Sequence, residues 1–146
     1  MSQLQHARSF RDLVVYQKAR AVAKHVFVIT QKFPKEELYA LTDQGRRSSR
    51  SVGAQIAEAW AKRRYEKHFV SKLTDADGEQ QETQHWIETA VDCEYLTAEE
   101  VRSLLSELAE IGRMLNSMIE KAESFCGDPS SALHESIADY CTTTDN

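Results

Sequence analysis

The chain contains little glycine and proline, with 5 and 2 residues respectively among 146. Turn-rich β sandwiches and barrels need more of both, so this scarcity favours long helices. No apolar run approaches the roughly 20 residues of a membrane span, and no charged-then-apolar leader opens the chain. The three cysteines, Cys93, Cys126 and Cys141, are odd in number and form no Cys-x-x-Cys spacing. We therefore expect a cytoplasmic protein with reduced thiols.

The net charge of −5 is unevenly distributed. Residues 1–72 contain 15 Lys/Arg and 6 Asp/Glu, whereas residues 73–146 contain 3 and 17. Two interpretations fit this asymmetry. Basic early helices pack beside acidic later ones, within or between subunits, or the basic half meets an anionic partner.

Periodic apolar residues predict one domain of four long helices. Ser9 is suited to cap a first helix over about 10–30, with Asp12 completing a weak capping box. The apolar stripe of this helix is wider than one core face requires, which places the helix between neighbours or at a subunit contact. Its members include Leu13, Val14, Tyr16, Ala19, Val22, Ala23, Val26, Phe27 and Ile29.

A second helix is predicted after the break at Phe33-Pro34, from a cap at Thr42 to about Lys62. Its inward positions are mostly small, so its backbone should approach its neighbours most closely. These positions are Gly45, Ser48, Ser49, Val52, Ile56 and Ala59.

A third helix is predicted over about 65–94. Its inward series reads Phe69, Leu73, Ala76, Gln80, Thr83, Ile87 and Ala90. Gln80 and Thr83 would be buried polar groups, and each must find a hydrogen-bond partner. Gln55 and Glu58 of the second helix are the expected partners.

The fourth helix has the clearest periodicity and is predicted to continue to about residue 124, with a capping box formed by Thr97 and Glu100. One heptad position contains Val101, Leu108, Leu115 and Ala122. The other contains Leu104, Ile111, Met118 and Phe125. Short joints between four helices predict an all-α, antiparallel, up-down-up-down four-helix bundle. The expected domain spans 1–126, with a loose tail at 1–8 and a largely flexible tail at 127–146.

Residues 44–58 read QGRRSSRSVGAQIAE. This run resembles the bacterial four-helix-bundle proteins first noticed inside intervening sequences of 23S rRNA genes. Three further segments occur in the same order as in the family. They are FRDLVVYQKA at 10–19, FP at 33–34 with EELYALT at 36–42, and Gly78 with ETQ at 82–84. The resemblance covers roughly residues 10–122. The positions that match the family's structural motif are Arg46, Arg47, Arg50, Gln55, Glu58 and Glu82.

The resemblance implies a four-helix bundle assembled into a ring-like homopentamer, with no established enzymatic activity. The family's usual Asn-Ile-Ala-Glu-Gly is altered here at Gln55 and Ala59. One relative, the accessory protein of diversity-generating retroelements, is strongly basic and contacts protein and RNA. The acidic balance of this chain departs from that pattern, so that role is not transferred.

No motif in the sequence predicts catalysis, a cofactor or a metal. Glu82 and His85 have the Glu-x-x-His spacing of di-iron bundles, but no second such pair exists in the chain. A histidine beside Trp86 at a surface or interface is the alternative. Asp75–Glu79 resembles a calcium loop, but its glycine comes too early and a helix is predicted through it. There is no glycine-rich phosphate loop.

Two groups of basic residues have different expected roles. We expect Arg63, Arg64 and Lys67 to be exposed, as a polyanion or partner surface. Arg46 and Arg50 are expected to serve the architecture by pairing with acidic residues of the third helix or a neighbouring subunit. The candidates for that pairing are Asp75, Asp77, Glu79 and Glu82.

The sequence therefore supports two functions. The first is a non-enzymatic, homo-oligomeric bundle, in the family's pattern a pentamer, that presents surfaces to a protein partner. The alternative is an accessory protein associated with RNA or DNA, although the net charge disfavours nucleic acid.

Overall fold

The computed structural model describes residues 7–127, which are all-α and contain no strand. The helices are α1 Val14–Thr30, α2 Leu41–Ala61, α3 Glu66–Asp92, α4 Ala98–Glu120 and the short α5 Ala122–Phe125. Each long helix packs against the next, and α1 also packs against α4. This arrangement is the predicted antiparallel bundle. No helix within 7–127 combines the length and hydrophobicity needed to cross a bilayer. Most of both predicted tails, and Cys141, lie outside the described residues.

The core contains the residues that helical periodicity predicts for α2, α3 and α4. All seven inward positions of α3 are buried, as are all six small or apolar positions of α2. Both heptad series are buried too, and the side chains of Leu104, Leu108, Ile111, Leu115 and Met118 have no solvent exposure. A regular repeat therefore suffices to orient these three helices.

The first helix starts later than the sequence predicts. Ser9 and Asp12 do form the capping box, but it begins a three-residue 3₁₀ turn. Leu13 then has an extended backbone with a side chain only 1% exposed, and α1 starts at Val14. Burying Leu13 thus interrupts the helix. The predicted stripe is also out of phase in part, because Val15 is fully buried whereas Phe27 is 38% exposed.

Two other predicted helix boundaries are wrong. Thr42 does not cap α2, because the helix already begins at Leu41 and Thr42 is buried within it. The fourth helix ends at Glu120 instead of continuing to residue 124, since the backbone at Lys121 departs from helical geometry before α5. By contrast, the predicted Thr97–Glu100 capping box is confirmed, with both reciprocal hydrogen bonds present.

A polar seam lies between α2 and α3, but its partners differ from those expected. The hydroxyls of Ser48 and Thr83 are 2.8 Å apart, and Thr83 also donates to the Glu79 carbonyl at 2.8 Å. Gln80 donates from Nε2 to Asp77 at 2.8 Å. The prediction that Gln55 and Glu58 satisfy Gln80 and Thr83 is therefore wrong: α3 satisfies its own buried groups, and one α2 serine contributes.

Candidate functional site

An arginine–aromatic patch covers the outer side of α2 at one end of the bundle. It consists of Phe27, Leu38, Tyr39, Arg46 and Arg50. A groove of about 540 Å³ runs along it between the α1–α2 joint and the arginines of α2. Tyr39 is 91% exposed, and Leu38 is 44% exposed. The groove therefore combines an exposed aromatic ring with apolar side chains, arginines and one carboxylate, that of Asp43.

The arginines of this patch pack against α1 and not against acidic residues of α3. The guanidinium of Arg46 lies 4.8 Å from the centre of the Phe27 ring, and that of Arg50 lies 5.9 Å from it. Arg46 also donates from Nε to the Thr30 hydroxyl at 2.9 Å. Within residues 7–127 neither arginine has a carboxylate partner. The expected acidic pairing inside the subunit is therefore wrong for both residues.

The third family-motif arginine, Arg47, also lines the groove but lies beside a carboxylate of α3. Its guanidinium lies 3.6 Å from Oε2 of Glu82 and donates to Gln44 at 3.0 Å. Position along the helix explains the difference, because successive helical residues are about 100° apart. Arg46 consequently contacts α1, whereas Arg47 contacts α3.

Glu79 and Glu82 form a half-buried carboxyl pair beside Arg47. Burial raises the pKa of Glu79, and the charge of the adjacent Glu82 raises it further. One buried oxygen of each glutamate lacks a hydrogen-bond donor within the described residues, and so does the buried Oε1 of Gln55. Two ionised carboxylates cannot donate to each other, so one proton held between them would satisfy part of this deficit.

A basic joint connects α2 to α3 at the other end of the bundle. We define it by Lys62, Arg63, Arg64 and Lys67. Lys62, Arg64 and Lys67 are exposed, as predicted for Arg64 and Lys67. Arg63 is only partly exposed, contrary to expectation. Its guanidinium lies 3.5 Å from the centre of the Trp60 ring, and its Nε donates to the Trp60 carbonyl at 2.9 Å.

Glu58, the last of the family-motif residues, and two neighbouring candidates, position 59 and His85, have structural surroundings. Glu58 forms an ion pair with Lys72 at 2.9 Å. Ala59, where the family pattern has glycine, is fully buried. His85 lies edge-on to Trp86, with ring centres 4.8 Å apart. No group of three or more His, Cys, Asp or Glu side chains suited to holding a metal occurs within residues 7–127.

Sequence reasoning did not identify Leu38 and Tyr39 as surface residues. Both belong to the family-like segment 36–42, and the only available signal was the presence of large apolar side chains in a short joint. Phe27 was assigned to the wide stripe of α1, and its exposure accounts for part of that surplus width.

The comparisons with known proteins agree with the bundle and its motif. A family model described as 23S rRNA-intervening sequence protein matches residues 11–117. A solved structure, described as a protein with unknown function from the S23 ribosomal protein family of Bacteroides thetaiotaomicron, is 29% identical with a TM-score of 0.65. The match covers 73% of this chain and 99% of that one. Comparison with curated proteins gave no significant match. The chain belongs to the 23S rRNA-intervening sequence protein family.

Proposed function

We propose that this chain is a non-enzymatic, cytoplasmic protein that assembles into a homo-oligomer and presents helical surfaces to a protein partner. The observation that carries the proposal is the exposure of Tyr39, at 91% in a single subunit, beside the groove of the arginine–aromatic patch. Tyrosine and arginine are enriched in the centres of protein interfaces, where an aromatic ring supplies much of the binding energy.

The arrangement of this patch supports contact with a second copy. Arg46 and Arg50 are held by Phe27, so their remaining donors can point outward without a carboxylate partner in the subunit. Covering Tyr39 and Leu38 would remove apolar area from water at about 25 cal/mol per Å². A head-to-tail contact of this kind closes into a ring when its rotation permits, and the resemblance implies a ring of five.

Two exposed tyrosines at opposite ends of the bundle allow a matched test. Tyr39 belongs to the patch, and Tyr65, 58% exposed, lies in the basic joint region. Light scattering coupled to size exclusion should give the wild type a mass that is a multiple of 16.6 kDa, five times that value for a pentamer. Tyr39→Ala should lower the mass, and Tyr65→Ala should leave it unchanged. A wild type at 16.6 kDa, or equal effects of both changes, would refute the proposal.

The basic joint supports the second candidate function, association with a nucleic acid. Arg64 and Lys67 are exposed cations, and the Tyr65 and His68 rings beside them lie 5.4 Å apart. Phosphate contacts need cations, and unpaired bases stack on aromatic rings. Binding of poly(U) should weaken in Arg64→Ala/Lys67→Ala but not in Arg20→Ala/Lys24→Ala, a matched pair of exposed α1 cations. Equal binding by both variants would exclude this joint as the contact.

A further inference from the structure

The arginine–aromatic patch holds two guanidinium groups against a single ring. The guanidinium carbons of Arg46 and Arg50 lie 4.8 and 5.9 Å from the centre of the Phe27 ring. Two like charges held against one ring repel each other, and no carboxylate oxygen of residues 7–127 lies within 4.0 Å of either group. An anion bound between the two arginines would remove this repulsion.

A buried hydroxyl fixes the orientation of one of these guanidinium groups. Thr30 is only 2% exposed, and its Oγ1 donates to the Val26 carbonyl at 2.7 Å. The same oxygen accepts a hydrogen bond from Nε of Arg46 at 2.9 Å. Because Nε is engaged there, the two terminal nitrogens form the open edge of the Arg46 guanidinium. That edge can donate two parallel hydrogen bonds to one oxyanion.

The charge of the groove favours an anion that carries more than one negative charge. Three arginines and one carboxylate line the groove, namely Arg46, Arg47, Arg50 and Asp43. Arg47 is partly compensated by Glu82, and no charged nitrogen of residues 7–127 lies within 4.0 Å of Asp43. The two arginines at Phe27 therefore match the charge of about −1.5 to −2 on a phosphate monoester at neutral pH. A single carboxylate would match only one of them.

The shape of the groove suits a small anion that carries a flat ring. Its volume of about 540 Å³ lies within the range of about 300–1,000 Å³ that is usual for small-molecule sites. Tyr39 and Leu38 line the groove together with the arginines, and the Tyr39 side chain is almost fully exposed. Nucleobases stack on such rings. The groove thus offers cations for a phosphate and an aromatic ring for a base.

We propose that the arginine–aromatic patch binds a nucleoside monophosphate, with the phosphate between Arg46 and Arg50 and the base on Tyr39. The bound nucleotide covers the ring and the cations that the proposed subunit contact uses. It therefore displaces the second copy, and assembly decreases as the nucleotide concentration rises. This displacement rests on the proposed homo-oligomer, whereas the binding site does not.

Equilibrium dialysis of the full chain against adenosine 5′-monophosphate tests the site. Arg50→Ala should weaken binding at least about tenfold, because it removes a charge-assisted contact but keeps the hydrogen bond between Arg46 and Thr30. Tyr39→Ala should weaken binding at least about fivefold through the loss of stacking. If either change acted only by releasing the second copy, the affinity would rise, so a lower affinity reports contact with the nucleotide.

Partial ligands and a matched variant are the controls for this measurement. Adenosine lacks the phosphate and inorganic phosphate lacks the ring, so each should bind more weakly than adenosine 5′-monophosphate. Arg64→Ala removes an exposed arginine from the basic joint and should leave the affinity unchanged. Equal affinities for adenosine and its monophosphate, or equal losses in Arg50→Ala and Arg64→Ala, would overturn the site. Tighter binding of phenyl phosphate would assign the patch to an aryl phosphate and overturn a nucleotide.

Light scattering with and without the nucleotide tests the displacement separately. The mass of the wild type should fall towards 16.6 kDa as adenosine 5′-monophosphate saturates the site, and adenosine should leave it unchanged. Saturable binding with an unchanged mass would overturn the displacement and leave the site intact. A wild type of 16.6 kDa without nucleotide would refute both the homo-oligomer and the displacement, and the dialysis measurements would still decide the site.

Discussion

Glu94 has a backbone conformation that glycine normally occupies. Its φ is 63°, in the left-handed region, immediately after α3. The Tyr95 and Glu94 amides donate to the carbonyls of Ala90 and Val91, at 2.9 and 3.0 Å. This pair of hydrogen bonds is a Schellman motif, in which the residue after the cap is most often glycine. The side chain of Glu94 is exposed and contributes no buried contact.

Replacing Glu94 with glycine should therefore stabilise the fold. A left-handed non-glycine residue costs about 1–2 kcal/mol, and the greater entropy of glycine in the unfolded chain offsets about 0.5–1 kcal/mol of the gain. We expect the free energy of unfolding to rise by about 0.5–1 kcal/mol in urea denaturation. Glu94→Ala is the control, because it removes the same charge but keeps the strain. Equal stability of the two variants would show that φ at this position carries no penalty.

Glu79 should make the free energy of unfolding depend on pH in the direction opposite to that of most carboxylates. Because its folded-state pKa is raised above 4.5, by burial first and then by Glu82, the folded state retains a proton that the unfolded chain has released. Stability is therefore complete below the unfolded pKa and falls as pH rises through the folded pKa. Glu79→Gln keeps the shape, donates a hydrogen bond to Glu82 and should abolish this decline.

The measurement is the melting temperature of wild type and Glu79→Gln across the pH range. The variant should be more stable than the wild type at neutral pH, and the two should converge below the unfolded pKa of about 4.5. Glu88→Gln, on the exposed side of α3, is the matched control. A difference between wild type and Glu79→Gln that does not change with pH would contradict the shared-proton interpretation.

Individual polar contacts were the features that sequence predicted least well. The buried positions of Gln80 and Thr83 followed from periodicity, but their partners did not. Intrahelical acceptors, the Glu79 carbonyl for Thr83 and Asp77 for Gln80, compete with any group on α2. A small rotation of one helix decides between such alternatives, and spacing along the chain does not encode that rotation.

At the scale of the helix, α4 shows how a regular repeat determines packing. Leu108 and Leu115 share one heptad position, and neither side chain has solvent exposure. Leu108→Ala and Leu115→Ala should each lower the free energy of unfolding by about 2–5 kcal/mol, because each removes buried volume that the bundle cannot fully close. Chemical denaturation measures the loss. A near-neutral result for either variant would contradict the orientation of α4.

Two glycines in helices provide a matched pair with opposite surroundings. A methyl group at position 78 would meet no atom within 4 Å, whereas one at position 112 would lie 2.6 Å from Nε2 of Gln80. Gly78→Ala should stabilise by about 1 kcal/mol through helix propensity alone. Gly112→Ala must displace the Gln80–Asp77 hydrogen bond and should be about 1–3 kcal/mol less stable than Gly78→Ala. Equal free energies of unfolding would show that Gln80 moves at no cost.

The two capping boxes were predicted correctly, because their signal is local. Both hydrogen bonds of the α4 capping box form within four residues, between Thr97 and Glu100. The predicted starts of α1 and α2 and the predicted end of α4 were wrong, because packing against residues distant in the sequence determines these boundaries. Leu13 is buried with an extended backbone just before α1. Phe125 stacks on Phe69 after the helix is interrupted at Lys121.

At the scale of the molecule, the structure accounts for part of the charge asymmetry. Lys18, Lys32 and Arg47 from the basic half pair with Glu110, Glu100 and Glu82 from the acidic half. These pairs join α1 or the α1–α2 joint to α4, and α2 to α3. They are largely exposed, so each contributes at most about 1 kcal/mol. The arginines of the arginine–aromatic patch and the cations of the basic joint form no such ion pair within residues 7–127.

The two surfaces should respond differently to loss of their arginines. In Arg46→Ala/Arg50→Ala, each lost contact with Phe27 should cost about 0.5–1 kcal/mol, the range for exposed cation–π pairs. The loss of the Arg46 hydrogen bond to Thr30 adds about 1 kcal/mol. A measurable fall in melting temperature should accompany a fall in oligomer mass, because the same change removes both arginines from the proposed subunit contact.

Arg63→Ala/Arg64→Ala is the comparison for this last prediction. It also removes two arginines, including one that stacks on an aromatic ring, but from the basic joint at the other end of the bundle. Light scattering and thermal denaturation of both variants, at equal protein concentration, separate folding from assembly. The second variant should keep the wild-type mass while losing stability through Trp60. An unchanged melting temperature for Arg46→Ala/Arg50→Ala would contradict the packing role of these arginines. An unchanged oligomer mass would show that the arginine–aromatic patch is not a subunit contact.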